Sequence, residues 1–222
     1  MADTNKVKFG LKNVTVFPIT DSVSEGVATE TYGSPISIPG AVSLSMDPDG
    51  DLVKEYADDT IYWAGNASND YSGTLEIERV PVAFETGLLG MTTDATTGEI
   101  QETESSQPKP FGLAFQVNGD KNKGRIYRFA RCYCRRIGVG ANTKSDNLSF
   151  DHDTLELVGG KNLTGFSKGH MDEGDTGYAT ALTAWNYVAP QNPVVETPLG
   201  GETPGNGETP GNGETPAAEG AE

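Results

Sequence analysis

Apolar and polar residues alternate with a period of two along much of this chain. The alternation is clearest at residues 14–16, 42–46, 75–77, 111–117 and 154–157. Successive side chains of a β-strand point to opposite faces of the sheet, so each stretch predicts a strand with one buried face. Gly, Pro, Asn and Asp punctuate the gaps. They predict a turn at residues 17–18 and hairpin turns at 47–50 and 118–120.

One segment departs from this pattern and predicts a short helix at residues 80–89. Pro81 suits the first helical position, because its fixed φ and missing N–H cost nothing there. Gly90 suits the position after the last turn. The apolar face of this helix would be formed by Val82, Phe84, Leu88 and Leu89. We therefore expect a mostly β fold, a sandwich or barrel with one α-helix packed at its side.

The chain from Pro190 onward has a different composition. The unit Gly-Glu-Thr-Pro-Gly-Asn occurs twice in succession, at residues 201–206 and 207–212, and a third copy begins at Gly213. A segment of Gly, Pro, Glu and Thr buries too little apolar surface to offset the entropy that is lost on ordering it. We expect one β domain at residues 1–189 and a disordered tail at residues 190–222.

The formal charge of the chain is −16, and removing the six acids of the tail, which has no base, leaves −10 on residues 1–189. A negative charge argues against a general nucleic-acid binder, which neutralises phosphates with Lys and Arg. No window approaches the roughly 18 apolar residues of a membrane span. The start, MADTNKVKFG, lacks the apolar run of a signal peptide. We expect a soluble protein that is made in a cytoplasm and does not contact a membrane.

The residues that carry chemistry form no recognisable catalytic or metal-binding pattern. Cys132 and Cys134 lie two apart on a predicted strand, which is too far for easy bridging and favours two reduced, half-buried thiols. Residues 47–51 lack the Glu that ends a calcium loop. The Asp-His-Asp of residues 151–153 points its side chains to opposite strand faces. With no phosphate-binding glycine motif or activated nucleophile, we expect neither an enzyme nor a bound metal or cofactor.

The most unusual local feature is basic. Residues 121–136 hold seven of the sixteen bases and no acid, with Tyr127, Phe129 and Tyr133 between them. This pattern fits a platform for single-stranded nucleic acid, a plain solvated face, or a strand whose arginines pair with acids of a neighbouring subunit. The last interpretation is favoured in a chain that is acidic elsewhere. Its interface candidates are Arg125, Arg128, Arg131, Arg135 and Arg136.

Several blocks occur in an order that resembles a known family. They are residues 39–45 (PGAVSLS), 54–59 (KEYADD), 71–76 (YSGTLE), the predicted helix, 111–115 (FGLAF), the basic strand 125–136, and residues 142–146 before the strand 153–158. Together they resemble the major tail protein of long-tailed, non-contractile bacteriophages, which is the subunit of the tail tube. The resemblance covers about residues 5–190 and does not include the tail.

This resemblance implies a tail-tube-type β-sandwich or barrel whose subunits close into hexameric rings. The rings would stack into a hollow tube, the conduit for DNA ejection into the host. The partners would be further copies of the chain, tape-measure and tail-completion proteins, and double-stranded DNA that passes without specific binding. The location would be the virion tail, assembled in the host cytoplasm. A tube subunit of a bacterial injection system, such as type VI secretion, is a close alternative.

Acidic residues suit the bore of such a tube. Each DNA phosphate that a Lys or Arg bound would add friction to the sliding duplex, whereas acids repel phosphates. Six subunits at −10 each would give a formal −60 per ring. We expect some acids to line the bore or the surface between rings, with an ordinary outer surface as the alternative. The candidates are Asp47, Asp49, Asp51, Asp58, Asp59, Glu76 and Glu78. The tail is expected to point outwards, since a tail in the bore would obstruct DNA.

A carbohydrate-binding β-sandwich is the alternative from a different functional class. Its stacking platform would consist of Tyr62, Trp63 and Tyr71, if these rings are exposed. Aromatic rings within an alternating strand more often belong to a core or an interface.

Overall fold

The computed structural model describes residues 7–66, 68, 70–120, 124–143 and 150–185. Within these residues the chain forms thirteen strands and one helix, so the predicted mostly β fold with a single helix is confirmed. The predicted disordered tail lies outside the described residues. The strands are β1 (Lys8–Ser24), β2 (Val27–Tyr32), β3 (Ile36–Ser37), β4 (Ala41–Asp49), β5 (Leu52–Ala57), β6 (Thr60–Asn66), β7 (Asp70–Ile77), β8 (Thr92–Thr93), β9 (Ile100–Gln101), β10 (Phe111–Gly119), β11 (Arg125–Cys134), β12 (Asp153–Gly160) and β13 (Lys168–Met171), and the helix is α1 (Val82–Leu88).

Nine of these strands form one large antiparallel sheet. Its order is β2-β1-β10-β11-β12-β7-β4, with β13 added to β11 and β3 added to β1. The other four strands form two separate two-stranded sheets, β5-β6 and β8-β9. Within the described part of the chain, β4 and β2 are therefore the two ends of the large sheet.

The expected turn at residues 17–18 is wrong, because β1 runs straight through it. Pro18 still pairs with Phe111 of β10, whereas Ile19 already pairs with Tyr32 of β2. The strand thus changes partner at the proline. A proline lacks the N–H that a ladder needs, but its fixed φ is compatible with an extended strand at such an irregular position.

The expected hairpin turn at residues 47–50 is also wrong. β4 continues to Asp49, and Pro48 pairs with Tyr71 of β7 inside the ladder. Because β4 is an edge strand, the missing N–H of Pro48 breaks no hydrogen bond to a second neighbour. The chain turns only at Gly50, which has a φ of +119°. The other expected hairpin is confirmed, since β10 pairs antiparallel with β11, but its turn lies later than predicted, because Asn118 and Gly119 still pair with Phe9 and Lys8 of β1.

The main core lies on one face of the large sheet, called the inner face here. Leu75 and Ile77 of β7 and Leu155 and Leu157 of β12 are buried there, as their alternation predicts. The opposite, outer face of these two strands carries short polar and acidic side chains. This half of the sheet therefore follows the period of two that half-buried strands show.

Helix α1 closes the core, close to its predicted position. Pro81 is the N-cap, with extended backbone angles, rather than the first helical residue. Phe84, Leu88 and Leu89 are buried, but Val82 is 51% exposed, so its place on the apolar face was wrongly predicted. Gly90 follows the C-cap with a φ of +72°, as expected.

The strand β10 does not show the predicted alternation, because both of its faces are covered. Residues 161–185, called the strap here, include β13 beside β11, and their Phe166, Leu182 and Trp185 pack on the outer face of β1, β10 and β11, where Trp185 is buried. Phe17, Ala114 and Ala130 form the floor of this second, smaller core. The outer face of the sheet is thus divided into a half covered by the strap and an open half on β12, β7 and β4.

Candidate interaction surfaces

The hairpin β5–β6 forms a separate unit. Its strands pair with each other and, among the described residues, with no third strand. The connecting residues Asp58 and Asp59 have φ values of 50° and 60°. Two successive left-handed residues are typical of the type I′ turn, whose twist matches that of the strands it joins. The acidic pair that the sequence places before an aromatic strand is therefore a hairpin tip.

This hairpin is apolar and exposed on both faces. Val53 and Trp63 share one face, while Leu52, Tyr56 and Ile61 share the other, as their register and alternation require. Tyr62 lies at the register shift between the pairs Glu55–Trp63 and Tyr56–Ile61, and it is 78% exposed. An isolated two-stranded ribbon is marginally stable in water. These exposed apolar side chains, interspersed with Lys54 and Glu55, make the hairpin a candidate interaction site.

Trp63 lies flat on the hairpin, because Gly65 leaves room for its ring. A Cβ at Gly65 would lie 2.5 Å from two indole carbons. The ring is 55% exposed and has space to receive a partner. Tyr71, which the sequence groups with it, is half-buried: it makes an edge contact with Phe129 at 5.1 Å and lies under the Lys168 ammonium at 4.9 Å. Its predicted place in an exposed aromatic platform is wrong.

The open half of the outer sheet face is polar apart from the exposed side chain of Val158. Ser43 donates to Glu76 at 2.7 Å, and the hydroxyls of Ser45 and Thr74 lie 3.4 Å apart. These pairs join β4 to β7 across the face. We call this surface the open polar face, and its members are Ser43, Ser45, Asp47, Ser72, Thr74, Glu76, Thr154 and Glu156.

The seven acids predicted for a bore or a stacking surface fall into separate groups. Asp47 and Glu76 belong to the open polar face. Glu78 follows β7, with an oxygen 3.5 Å from Nε2 of His152. The remaining four belong to the hairpin region, two at its root and two at its tip, and they are Asp49, Asp51, Asp58 and Asp59. Six of the seven thus lie on the open polar face or in the hairpin region, and their position in an assembly stays a prediction.

The arginines of β11 find partners within the chain, although the sequence favours acids of a neighbouring subunit. Arg125 donates to both carboxylate oxygens of Asp172, at 2.8 and 2.7 Å. This hydrogen bonding holds the pKa of Asp172 below its ordinary value. Arg125 therefore ties the strap to the sheet.

Arg131 ties the β1–β2 hairpin to the sheet in the same way. It donates to both carboxylate oxygens of Asp21, at 3.0 and 2.6 Å, and to Glu30 at 2.5 Å. These hydrogen bonds raise the pKa of Arg131 and lower that of Asp21. Glu30 also accepts the backbone N–H of Leu163, so one ion cluster joins the hairpin, the sheet and the strap.

The last three arginines differ in their exposure. Arg135 pairs with Glu156 at 2.9 Å and Arg136 pairs with Glu102, both at the surface. Arg128 is 6% exposed, so its predicted place at a subunit interface is wrong. Arg128 lies instead beneath the strap.

Trp185 is the anchor of the strap. Tyr32 stacks on its ring at 4.4 Å with an interplanar angle of 13°, and the Arg128 guanidinium lies over the ring at 3.9 Å. Arg128 also donates to the Trp185 carbonyl at 2.6 Å. Sequence reasoning missed this anchor, and its one signal was the pair of small residues, Gly112 and Ala114, in an otherwise bulky strand.

The aromatics of β11 do not form an exposed nucleic-acid platform. Phe129 is buried, and Tyr127 is half-buried and stacks on Phe115 at 5.5 Å. Tyr133 alone among the three rings is exposed. Cys132 and Cys134 are free and fully buried, rather than half-buried as predicted, and burial raises the pKa of both thiols.

The Asp-His-Asp stretch has three separate partners. Asp151 accepts two hydrogen bonds from Asn142, His152 faces Glu78, and Asp153 accepts the backbone N–H of Val80. These residues border a groove of about 540 Å³ but do not converge on one point. In the part of the chain that the structure describes, no three His, Cys, Asp or Glu residues are grouped for a metal.

No helix among the described residues has the length and apolar character needed to cross a bilayer. No protein-family model matches the chain, and no curated protein matches it. The resemblance to tail-tube subunits therefore rests on the sequence blocks given above and stays a prediction.

Proposed function

We propose that this chain is a structural subunit that assembles into stacked hexameric rings and forms a bacteriophage tail tube, the conduit for DNA ejection. The observation that carries the proposal is the β5–β6 hairpin, which exposes apolar side chains on both faces. Full burial of one large apolar side chain contributes about 1.5–3 kcal/mol. A hairpin with two apolar faces is stabilised most when both faces are buried, as they would be if it inserted between subunits of stacked rings.

The ends of the large sheet support the same proposal. β4 and β2 each pair on one side only within the described residues. Unpaired strand edges favour association, and a head-to-tail contact between two different edges closes into a ring when its rotation allows. Pairing around such a ring would satisfy both edges.

The open polar face suits the bore of the tube. It carries Asp47, Glu76 and Glu156, and the charge of Glu156 is balanced by Arg135. A duplex near this face meets acids and short hydroxyl side chains. Because acids repel phosphates over about 8 Å at physiological salt, DNA would slide past without capture. Tape-measure and tail-completion proteins would then be the partners at the ends of the tube.

Negative-stain electron microscopy of the purified protein tests the proposal. We expect rings or tubes with six subunits per layer from the natural chain, and none from the double variant Tyr62→Ser, Trp63→Ser. Phe150→Ser, which removes an exposed ring elsewhere, is the matched control and should assemble normally. A natural chain that stays monomeric at every concentration, or a hairpin variant that assembles like the control, contradicts the proposal.

A carbohydrate-binding module is the second candidate, and the position of Trp63 favours it. A flat, half-exposed indole above Gly65 is a suitable surface for a sugar ring. Binding to a glycan array by a monomeric protein would support this candidate over a tube. A tube subunit of a bacterial injection system would behave like the phage protein in the assembly test, and the neighbouring genes separate these two.

A further inference from the structure

The sheet register places the strap's anchor and the root of the hairpin at the same end of the sheet. Trp185 packs over Gly112, where a Cβ would lie 2.7 Å from the indole. Phe111, which precedes Gly112, begins a row of paired residues that crosses the sheet. The row runs, in order, through Phe111, Cys132, Gly159, Tyr71 and Pro48. Tyr71 and Pro48 stand beside the two points where the chain enters and leaves the hairpin region.

The chain beyond Trp185 is long enough to cover this distance. Neighbouring strands lie about 4.8 Å apart, so the row spans about 14 Å from β10 to β7 and about 19 Å from β10 to β4. Residues 186–195 reach about 31 Å when extended at about 3.1 Å per residue. An extended segment of this length is therefore long enough to reach the root of the hairpin in its own chain.

The composition of residues 186–195 matches the hairpin. They read NYVAPQNPVV and carry no charge, and their apolar side chains include Tyr187, Val188, Val194 and Val195. Residues 51–66 hold four acids and one base. An acidic partner would be repelled there, whereas an uncharged, proline-containing segment suits an exposed aromatic surface. The acids of the tail begin only at Glu196.

We propose that residues 186–195 dock on the β5–β6 hairpin of the same chain and cover its apolar side chains. The anchor at Trp185 keeps the segment at a millimolar effective concentration, so a weak contact suffices. A second copy, present at a lower concentration, displaces the segment only by binding the hairpin more tightly. The competition between this segment and a second copy for the hairpin rests on the proposed tube function. It delays assembly until the end of a growing tube offers the whole surface that binds the hairpin.

Amide hydrogen exchange of the full-length protein tests the docking. The variant carries four changes in the segment, Tyr187→Ser, Val188→Ser, Val194→Ser and Val195→Ser. The matched control carries four changes in the tail, Leu199→Ser, Pro204→Ser, Pro210→Ser and Pro216→Ser. We expect residues 52–66 of the variant to exchange about tenfold faster than those of the natural chain and the control, at every dilution below the onset of assembly.

Acrylamide quenching gives a second readout, because the chain has two tryptophans and Trp185 is buried. Quenching of Trp63 should be stronger in the variant alone. Equal exchange in all three proteins overturns the docking, and so does protection of the natural chain that disappears on dilution, since that would be contact between copies. If the variant exchanges faster but none of the three proteins forms rings, the tube is refuted and the docking is supported. If rings form but the exchange rates do not differ, the docking is refuted and the tube is supported.

Discussion

At the scale of single residues, the space left by glycine decides where large rings pack. Gly112 receives Trp185 and Gly65 receives Trp63, and in both places a Cβ would lie under 3.0 Å from the ring. The two rings differ in outcome, because Trp185 is 4% exposed and Trp63 remains open. One glycine therefore secures the body of the domain and the other shapes a surface.

The Gly112→Ala variant should destabilise the fold. Its methyl group would force the Trp185 indole away from Tyr32 and Arg128, and overpacking of this kind typically costs about 1–3 kcal/mol. Urea unfolding, followed by fluorescence, measures the change. Gly138→Ala is the control, because a Cβ there meets nothing within 4 Å. Equal urea midpoints for the two variants would show that close packing of the Trp185 indole on Gly112 does not contribute to stability.

The ion cluster at Arg131 should make stability depend on pH. The hydrogen bonds from Arg131 lower the pKa of Asp21 from its ordinary value of 3.8. A carboxyl with a lowered folded pKa stabilises the fold above its unfolded pKa, and this stabilisation is lost as pH falls through the folded value. We expect thermal midpoints to fall below about pH 4.

The Asp21→Asn variant isolates the contribution of this carboxyl. It should lower the thermal midpoint at pH 7 and change it less at a pH below the lowered folded pKa of Asp21, since the carboxyl is then protonated in the natural chain as well. Glu25→Gln, at the exposed tip of the same hairpin, is the control. A loss for Asp21→Asn that is the same at both pH values would point to a cause other than charge.

At the scale of elements, sequence alternation predicts which side chains of a strand are buried only where one sheet face meets water. The pattern succeeds for β7 and β12, whose outer face is open. It locates the strand β10 but predicts the wrong burial for it, because the strap that covers its second face comes from residues 161–185, distant in sequence. The surface position of the hairpin was equally hidden, since an exposed aromatic strand reads like a buried one. Pro18 and Pro48 misled for a related reason, because only the sheet order shows that both positions tolerate a missing N–H.

The turn of the β5–β6 hairpin should accept a better sequence without a change in the body. Replacing Asp58-Asp59 by Asn-Gly supplies the residues that a type I′ turn prefers. We expect slower amide exchange in residues 52–66, because the tip no longer holds two aspartates in a left-handed conformation. The urea midpoint of the domain should stay the same, since the hairpin is a separate sheet. A large shift of that midpoint would mean that hairpin and body unfold together.

At the scale of the whole molecule, the described residues divide into a tightly held body and a set of exposed surfaces. The strap, the β1–β2 hairpin and the sheet are joined by the Arg125 and Arg131 ion pairs and by Trp185. The β5–β6 hairpin, the open polar face and the two sheet ends remain accessible. The resemblance in sequence suggested the assembly, but which surface meets a neighbour depends on the folded arrangement and was not readable beforehand.

Limited proteolysis of assembled tubes tests the outward position of the tail. We expect cleavage within residues 190–216 and tubes that keep their length and diameter in electron micrographs. The reason is that a tail outside the tube contributes no contact to the wall. Tubes that fall apart after cleavage, or tails that resist cleavage in intact tubes, would place the tail within the wall or the bore.

The two sealed thiols have a practical consequence. Since the chain has two cysteines and both are fully buried, a maleimide dye will leave the natural protein unlabelled while it stays folded. A new cysteine at the fully exposed Val139 would then carry one dye per subunit. Counting the steps in which single particles photobleach would give the number of copies in each assembly directly, without averaging over an image class.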